Sequence, residues 1–142
     1  MLCAGLAAAC KIAGERMTGD HAHELRLRTL FLDAAQAAFR DHSVNGDLQK
    51  RLPGNLNIRL RGCDGDSLLA RLRGQLAAST ESACNSGLIE PSYVLFALGL
   101  SLEEVNSSIR FGFGRFITVD DIERAVVALA WAAIPSLRQA AG

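Results

Sequence analysis

The chain has 142 residues, 49% of them apolar and 21% charged, and its 15 Lys+Arg balance 15 Asp+Glu. That length suits one domain with a real core, and zero net charge offers no electrostatic footprint for nucleic acid or an anionic membrane. No apolar run reaches the roughly 18 residues of a membrane span, so the expectation is a soluble globular protein with no nucleic-acid or membrane partner.

Cys3, Cys10, Cys63 and Cys84 form no CxxC pair and stand apart from His21, His23 and His42. Neither a metal site nor a disulfide framework is expected, and free thiols in a reducing cytoplasm are.

The opening Met1-Leu2-Cys3-Ala4-Gly5-Leu6 is apolar, lacks a basic region before it and runs into charged helical sequence. It predicts a helix over 1–17 rather than a signal peptide. Cys3 and Cys10, seven apart on that helix, read as small buried hydrophobes. Gly19-Asp20 is read as a break before a second helix over 21–41, with Leu25, Thr29, Leu32, Ala35 and Phe39 on one face and Arg26, Arg28, Asp33 and Arg40 elsewhere.

Pro53-Gly54 is a turn signal, after which Asn55-Leu56-Asn57-Ile58-Arg59-Leu60-Arg61 alternates as a half-buried strand does. Asp64 caps a short helix carrying Leu68, Leu69 and Leu72, and residues 75–79 read as a further strand. Ser92 opens a helix through Leu98 that Gly99 closes, and Ser101-Leu102-Glu103-Glu104 is a capping box. Residues 108–114 alternate again, with Ile109, Phe111 and Phe113 on one face. Thr118-Val119-Asp120-Asp121 starts the last helix with acids at its positive end, and Ile122, Val126, Leu129 and Ala133 form its buried stripe. The order predicts an α/β fold of α+β-like type: an antiparallel-leaning sheet of about three to four strands with helices packed on one face.

Cys84 stands among Ser79, Thr80, Ser82, Asn85, Ser86 and Gly87, a run that cannot pack a core and reads as an exposed loop. An accessible thiol there is open to two readings, an incidental surface cysteine or a nucleophile. Arg110 falls on the strand face opposite Ile109 and Phe111. Its planar fork of donors suits a carboxylate, although position alone favours an ordinary solvated or ion-paired arginine. Cys63 sits in a turn, and only two lysines exist, Lys11 and Lys50.

Taken together, three blocks resemble the C-terminal small domain of group I (NifS/IscS-like) cysteine desulfurases, which are pyridoxal-phosphate (PLP) enzymes of fold type I in the aminotransferase class V family. Ser79-Thr80-Glu81-Ser82-Ala83-Cys84-Asn85-Ser86 resembles that family's catalytic-cysteine loop. Glu90-Pro91-Ser92-Tyr93-Val94-Leu95 with Ala97-Leu98-Gly99-Leu100 resembles the helix after it. Ser107-Ser108-Ile109-Arg110-Phe111 with Gly114-Arg115-Phe116 resembles the carboxylate-binding strand. Leu2-Cys3-Ala4-Gly5-Leu6 is similar to the helix joining large and small domains, there and in selenocysteine lyases. Glu81, Phe96 and Gly112-Phe113 depart from the usual pattern.

The resemblance implies an inter-domain linking helix at 1–20 and a small domain at 21–142 that carries the catalytic-cysteine loop at about 79–90. It implies L-cysteine as substrate, its carboxylate on Arg110, and Cys84 as the catalytic thiolate that takes its sulfur as a persulfide and leaves alanine. The sulfur then passes to an acceptor protein for iron–sulfur cluster or thio-cofactor assembly. It implies PLP as cofactor, bound mainly by a large domain or partner subunit outside this chain, with no cofactor-binding residue within it, and a homodimer in the complete enzyme. The alternatives are a non-catalytic remnant or interaction subunit, a selenocysteine lyase-like domain, and a PLP-independent sulfur carrier.

Overall fold

Leu56, Ile58 and Leu60 alternate along one strand with Asn55, Asn57 and Arg59, and the fold is built around that alternation. A computed structural model describes residues 2–80 and 91–140, with side chains described as far as Ile134. In chain order the elements are α1 (Leu2–Ala38), β1 (His42–Val44), β2 (Asn55–Leu60), α2 (Gly65–Arg71), α3 (Tyr93–Ala97), α4 (Leu102–Asn106), β3 (Ser108–Gly112) and α5 (Val119–Ala140). The strands form one antiparallel sheet of order β1-β2-β3, which puts β2 in the middle.

The register pairs Leu56 with Phe111 and Ile58 with Ile109, so the apolar members of neighbouring strands share a face. On that face α1, α2 and α5 close the core. Phe31 of α1 sits 4.7 Å from Phe111 and 5.6 Å from Phe113, ring centroid to centroid. Leu68 and Leu72, with Ile122, Val126, Leu129 and Ala133 of α5, complete it. The alternating strands, the antiparallel sheet and the last helix's stripe are as the sequence predicts, whereas the helical cover is not confined to one face, since Glu104 of α4 meets Arg59 and Ser108 on the other. Asp64 caps α2 by accepting from the Ser67 N–H at 2.8 Å, and Ser101 with Glu104 forms the capping box of α4. Gly99 follows α3 at φ +86°, a conformation that costs any residue with a Cβ.

Four further expectations are corrected. The helix does not break at Gly19-Asp20; α1 is continuous from Leu2 to Ala38. A glycine in a helix interior costs only about 1 kcal/mol. Here the flanking turn is held from outside, by the Asp20–Arg115 ion pair at 2.6 Å and by His23 Nε2 at 3.0 Å from the Ile117 carbonyl oxygen. Second, the buried stripe of α1 is Leu27, Phe31 and Ala35, while Leu25 and Thr29 are exposed. The stripe is displaced because Arg28, expected outside, is itself buried. Its guanidinium donates to the Leu48 and Leu52 carbonyls at 3.2 and 3.4 Å. Third, Cys3 and Cys10 are exposed, because residues 2–19 are exposed at every position. Fourth, residues 75–79 form no strand; only Ser79 makes a bridge, to Arg110. The strand β1, paired to β2 through Val44 and Ile58, was not expected.

Leu129 is fully buried between α5 and the rest of the core. Leu129→Ala is expected to lower the unfolding free energy by about 2–5 kcal/mol, measured by urea denaturation, whereas the same change at exposed Leu6 is expected to leave the core's transition within about 0.5 kcal/mol.

Candidate functional site

The odd-numbered positions of β2 and the even-numbered positions of β3 that flank Ile109 and Phe111 turn to the other face of the sheet, and this face is polar. Arg110 lies there directly opposite Asn57, as alternation predicts. It is partly exposed, and among the described residues its guanidinium has no hydrogen-bond or ion-pair partner. A cavity of about 370 Å³ opens beside it, lined by Asn55, Ala78, Ser79 and Gly112 among others.

The backbone of Arg110 is turned away from Asn57. Its N–H donates to the Ser79 carbonyl at 2.7 Å and its carbonyl accepts from the Ser79 N–H at 3.1 Å. Ser79 is thus stitched to the free edge of β3. Next to it, the Thr80 hydroxyl donates to the Asp66 carboxylate at 2.7 Å, and the Thr80 methyl lies against Gly65 at the start of α2. A Cβ on Gly65 would stand 2.7 Å from that methyl carbon and 2.9 Å from the Asn106 carbonyl oxygen. The absence of a side chain at Gly65 therefore lets the chain at 79–80 pass between α2 and β3. Cys84 falls within residues 81–90 and lies outside the described residues.

The rest of the polar face is a connected network. Arg59 forms an ion pair with Glu104. The Glu104 carboxyl is held below the usual carboxylate range, first by the Ser101 backbone N–H, then by the Ser101 hydroxyl and the Arg59 guanidinium. Asn45, only 6% exposed, donates through Nδ2 to Asn57 Oδ1 at 2.7 Å and to the Ser108 hydroxyl at 2.8 Å. The Ser108 hydroxyl donates in turn to the Glu104 carbonyl at 2.6 Å. Sequence reasoning placed Arg110 on this face but missed Asn45, Asn57 and Ser108. One signal was available: polar residues at strand positions, Asn57 in β2 and Ser108 beside Ile109 and Phe111 in β3.

The remaining thiols and amines do not join this face. Cys63 is buried, and burial pushes its thiol pKa up against a smaller opposing pull from Arg71, which keeps it protonated and unreactive at neutral pH. Lys11 is exposed on α1 beside Glu15 at 4.0 Å, and Lys50 is exposed in the turn that follows β1. Neither amine lines the cavity at Arg110, so the residues present do not fit a PLP held as a Schiff base. Among the described residues no group of His, Cys, Asp and Glu is placed to hold a metal ion, and no helix is long and apolar enough to cross a membrane.

Two outcomes follow from this geometry. Gly65→Ala is expected to destabilise the fold by about 1–3 kcal/mol through overpacking and to shift the amide resonances of Ser79 and Thr80, read by denaturation and by ¹⁵N correlation spectra. In the native protein a thiol reagent is expected to label Cys3 and Cys10 within seconds and Cys63 only on unfolding, with the sites read by peptide mass.

No family model matches the chain. It is 46% identical over 122 residues to the cysteine desulfurase IscS of Colwellia psychrerythraea, and 48% identical over 122 residues to that of Photobacterium profundum. In both cases the match covers 86% of this chain and 30% of the relative, so the chain spans less than a third of the length of these relatives. A solved NifS-like protein from Rickettsia africae superposes with a TM-score of 0.74 at 21% identity, over 92% of this chain and 33% of that one, which establishes the shared fold.

Proposed function

The chain belongs to the IscS/NifS-like cysteine desulfurases, as the counterpart of a C-terminal portion of those proteins, and on that premise we propose that it supplies the sulfur-accepting thiol and the substrate carboxylate clamp of a PLP-dependent cysteine desulfurase. The observation that carries the reading is Arg110. It is a guanidinium without a partner among the described residues, at the mouth of a cavity, whose own backbone anchors the segment leading to Cys84. Cys84 follows Ser79 by five residues, a tether of at most about 18 Å when fully extended.

In this reading Arg110 binds the carboxylate of L-cysteine by two parallel N–H bonds, which fixes the substrate's orientation as well as its position. The Cys84 thiolate attacks the substrate's sulfur. A sulfur–sulfur bond forms as the carbon–sulfur bond breaks, the electron pair stays on carbon, and a proton taken there gives alanine. Cys84 is left as a persulfide, and its outer sulfur passes to an acceptor protein for iron–sulfur cluster or thio-cofactor assembly. PLP supplies the electron sink when bound, and its lysine and phosphate contacts belong to a large domain outside this chain. The division into a linking helix at 1–20 and a small domain at 21–142, a homodimer for the complete enzyme and a cytoplasmic location are parts of the same proposal. Exposed Leu2, Leu6 and Met17 on α1 and Tyr93 on α3 support association with that large domain.

The chain alone, mixed with PLP and L-cysteine, is expected to release no sulfide at enzymatic rates. Combined with the PLP-binding portion of an IscS relative and ³⁵S-cysteine, it is expected to carry label on Cys84, located by peptide mass. Cys84→Ser abolishes that label, and Arg110→Gln raises the KM for L-cysteine about 10- to 100-fold, the loss of a hydrogen-bonded charge pair. Label confined to Cys3 or Cys10, or a KM unmoved by Arg110→Gln, overturns the reading.

A further inference from the structure

On the polar face of the sheet the hydrogens can be assigned in sequence, and they single out one further residue. The Ser108 hydroxyl has a single proton and commits it to the Glu104 carbonyl at 2.6 Å. Toward Asn45 it can then only accept, so the Asn45 group 2.8 Å away must be its amide nitrogen. The second proton of that nitrogen goes to Asn57 at 2.7 Å, which fixes the atom facing Asn45 as Asn57 Oδ1. The Asn57 carboxamide therefore points its N–H₂ the other way. That group has no acceptor among the described residues.

Asn57 is the cross-strand partner of Arg110. Since the backbone N–H and carbonyl of Arg110 are spent on Ser79, Asn57 and Arg110 form a non-hydrogen-bonded pair, the kind in which facing side chains stand closest, with Cβ atoms about 4.5–5 Å apart. A guanidinium and an N–H₂, each without a partner among the described residues, thus lie side by side on one face. Both groups only donate, so they do not satisfy each other. The acceptor that completes them carries two adjacent oxygens and a negative charge.

We infer that Asn57 is a second ligand to the carboxylate that Arg110 holds, donating from Nδ2 to the remaining lone pair of one of the two oxygens that the guanidinium fork engages, with Asn45 and Ser108 as positioning residues that lock its orientation. This rests on the reading of Arg110 as a carboxylate clamp and adds a specificity element to it. The guanidinium fork aligns the carboxylate with itself but moves with a long side chain, whereas a second donor fixed by a buried network ties that aligned carboxylate, and with it the direction of the substrate's α-carbon, to the sheet.

The test is a titration of the intact chain with sodium acetate at constant ionic strength, sodium chloride being the control, following the Arg110 Nε–H and Asn57 Nδ2–H₂ signals by ¹⁵N correlation spectra. Both are expected to shift along one shared isotherm. Asn57→Asp keeps the oxygen that accepts from Asn45 and removes the donor, and it is expected to weaken acetate binding at least about 10-fold. Asn57→Ala, which adds no charge, is expected to weaken it by a similar factor. Arg110 shifting alone, or unchanged binding in a folded Asn57→Ala, overturns the role of Asn57 and leaves the Arg110 clamp standing. No specific shift at either residue overturns both. Should either variant fail to fold, the titration of the unsubstituted chain decides by itself.

Discussion

A middle strand one residue out of step would have no core and no site. The period-two alternation of β2 is the constraint on which the molecule rests, because this middle strand gives Leu56, Ile58 and Leu60 to the helices and Asn57 and Arg59 to the opposite face. Register carries that division to β3, where Ile109 and Phe111 join the core while Ser108 and Arg110 do not. A slip of one residue would exchange the two faces wholesale. The Phe31 ring, wedged against Phe111 and Phe113, penalises such a slip heavily. Packing on one side thereby holds the chemistry of the other.

The polar face is organised by commitment of donors. Arg59 is spent on Glu104, Asn45 on Asn57 and Ser108, and Ser108 on a carbonyl of α4. Arg28, under the turn after β1, is spent on two carbonyls. Against that background a guanidinium at Arg110 that is unspent among the described residues is informative. Buried networks of this kind orient the donors left over, since each fixed proton removes one alternative from its neighbour.

Much of this was legible in the sequence where a local pattern and the tertiary structure agree. The strict alternation at 55–61, the capping residues Asp64 and Ser101, and the Ile122–Val126–Leu129–Ala133 stripe each report on their own surroundings. What stayed hidden was decided at long range. The three-residue β1 exists only because β2 offers it an edge. Gly19 reads as a breaker until Arg115, far along the chain, is found holding Asp20. Arg28 was assigned to solvent because the carbonyls that satisfy it lie 20 and 24 residues away. Arg110 could be put on its face by counting, but the pairing that orients Asn57 joins Asn45 to Ser108 across 63 positions. The residues that make up the resemblance named the family while leaving that relay unseen.

The first half of α1 has a different physical character from everything after it. Residues 2–19 are exposed at every position, a rod about 27 Å long whose order comes from its own ladder of hydrogen bonds and its alanine-rich sequence. Tertiary support begins only at Asp20 and His23. A stretch of helix held only by its own ladder opens locally at little cost, so the free energy of opening steps up at the Asp20 anchor to that of the core. Amide protons along α1 accordingly fall into two classes, weakly protected before Asp20 and core-like after it, and the single continuous helix behaves as two thermodynamic units.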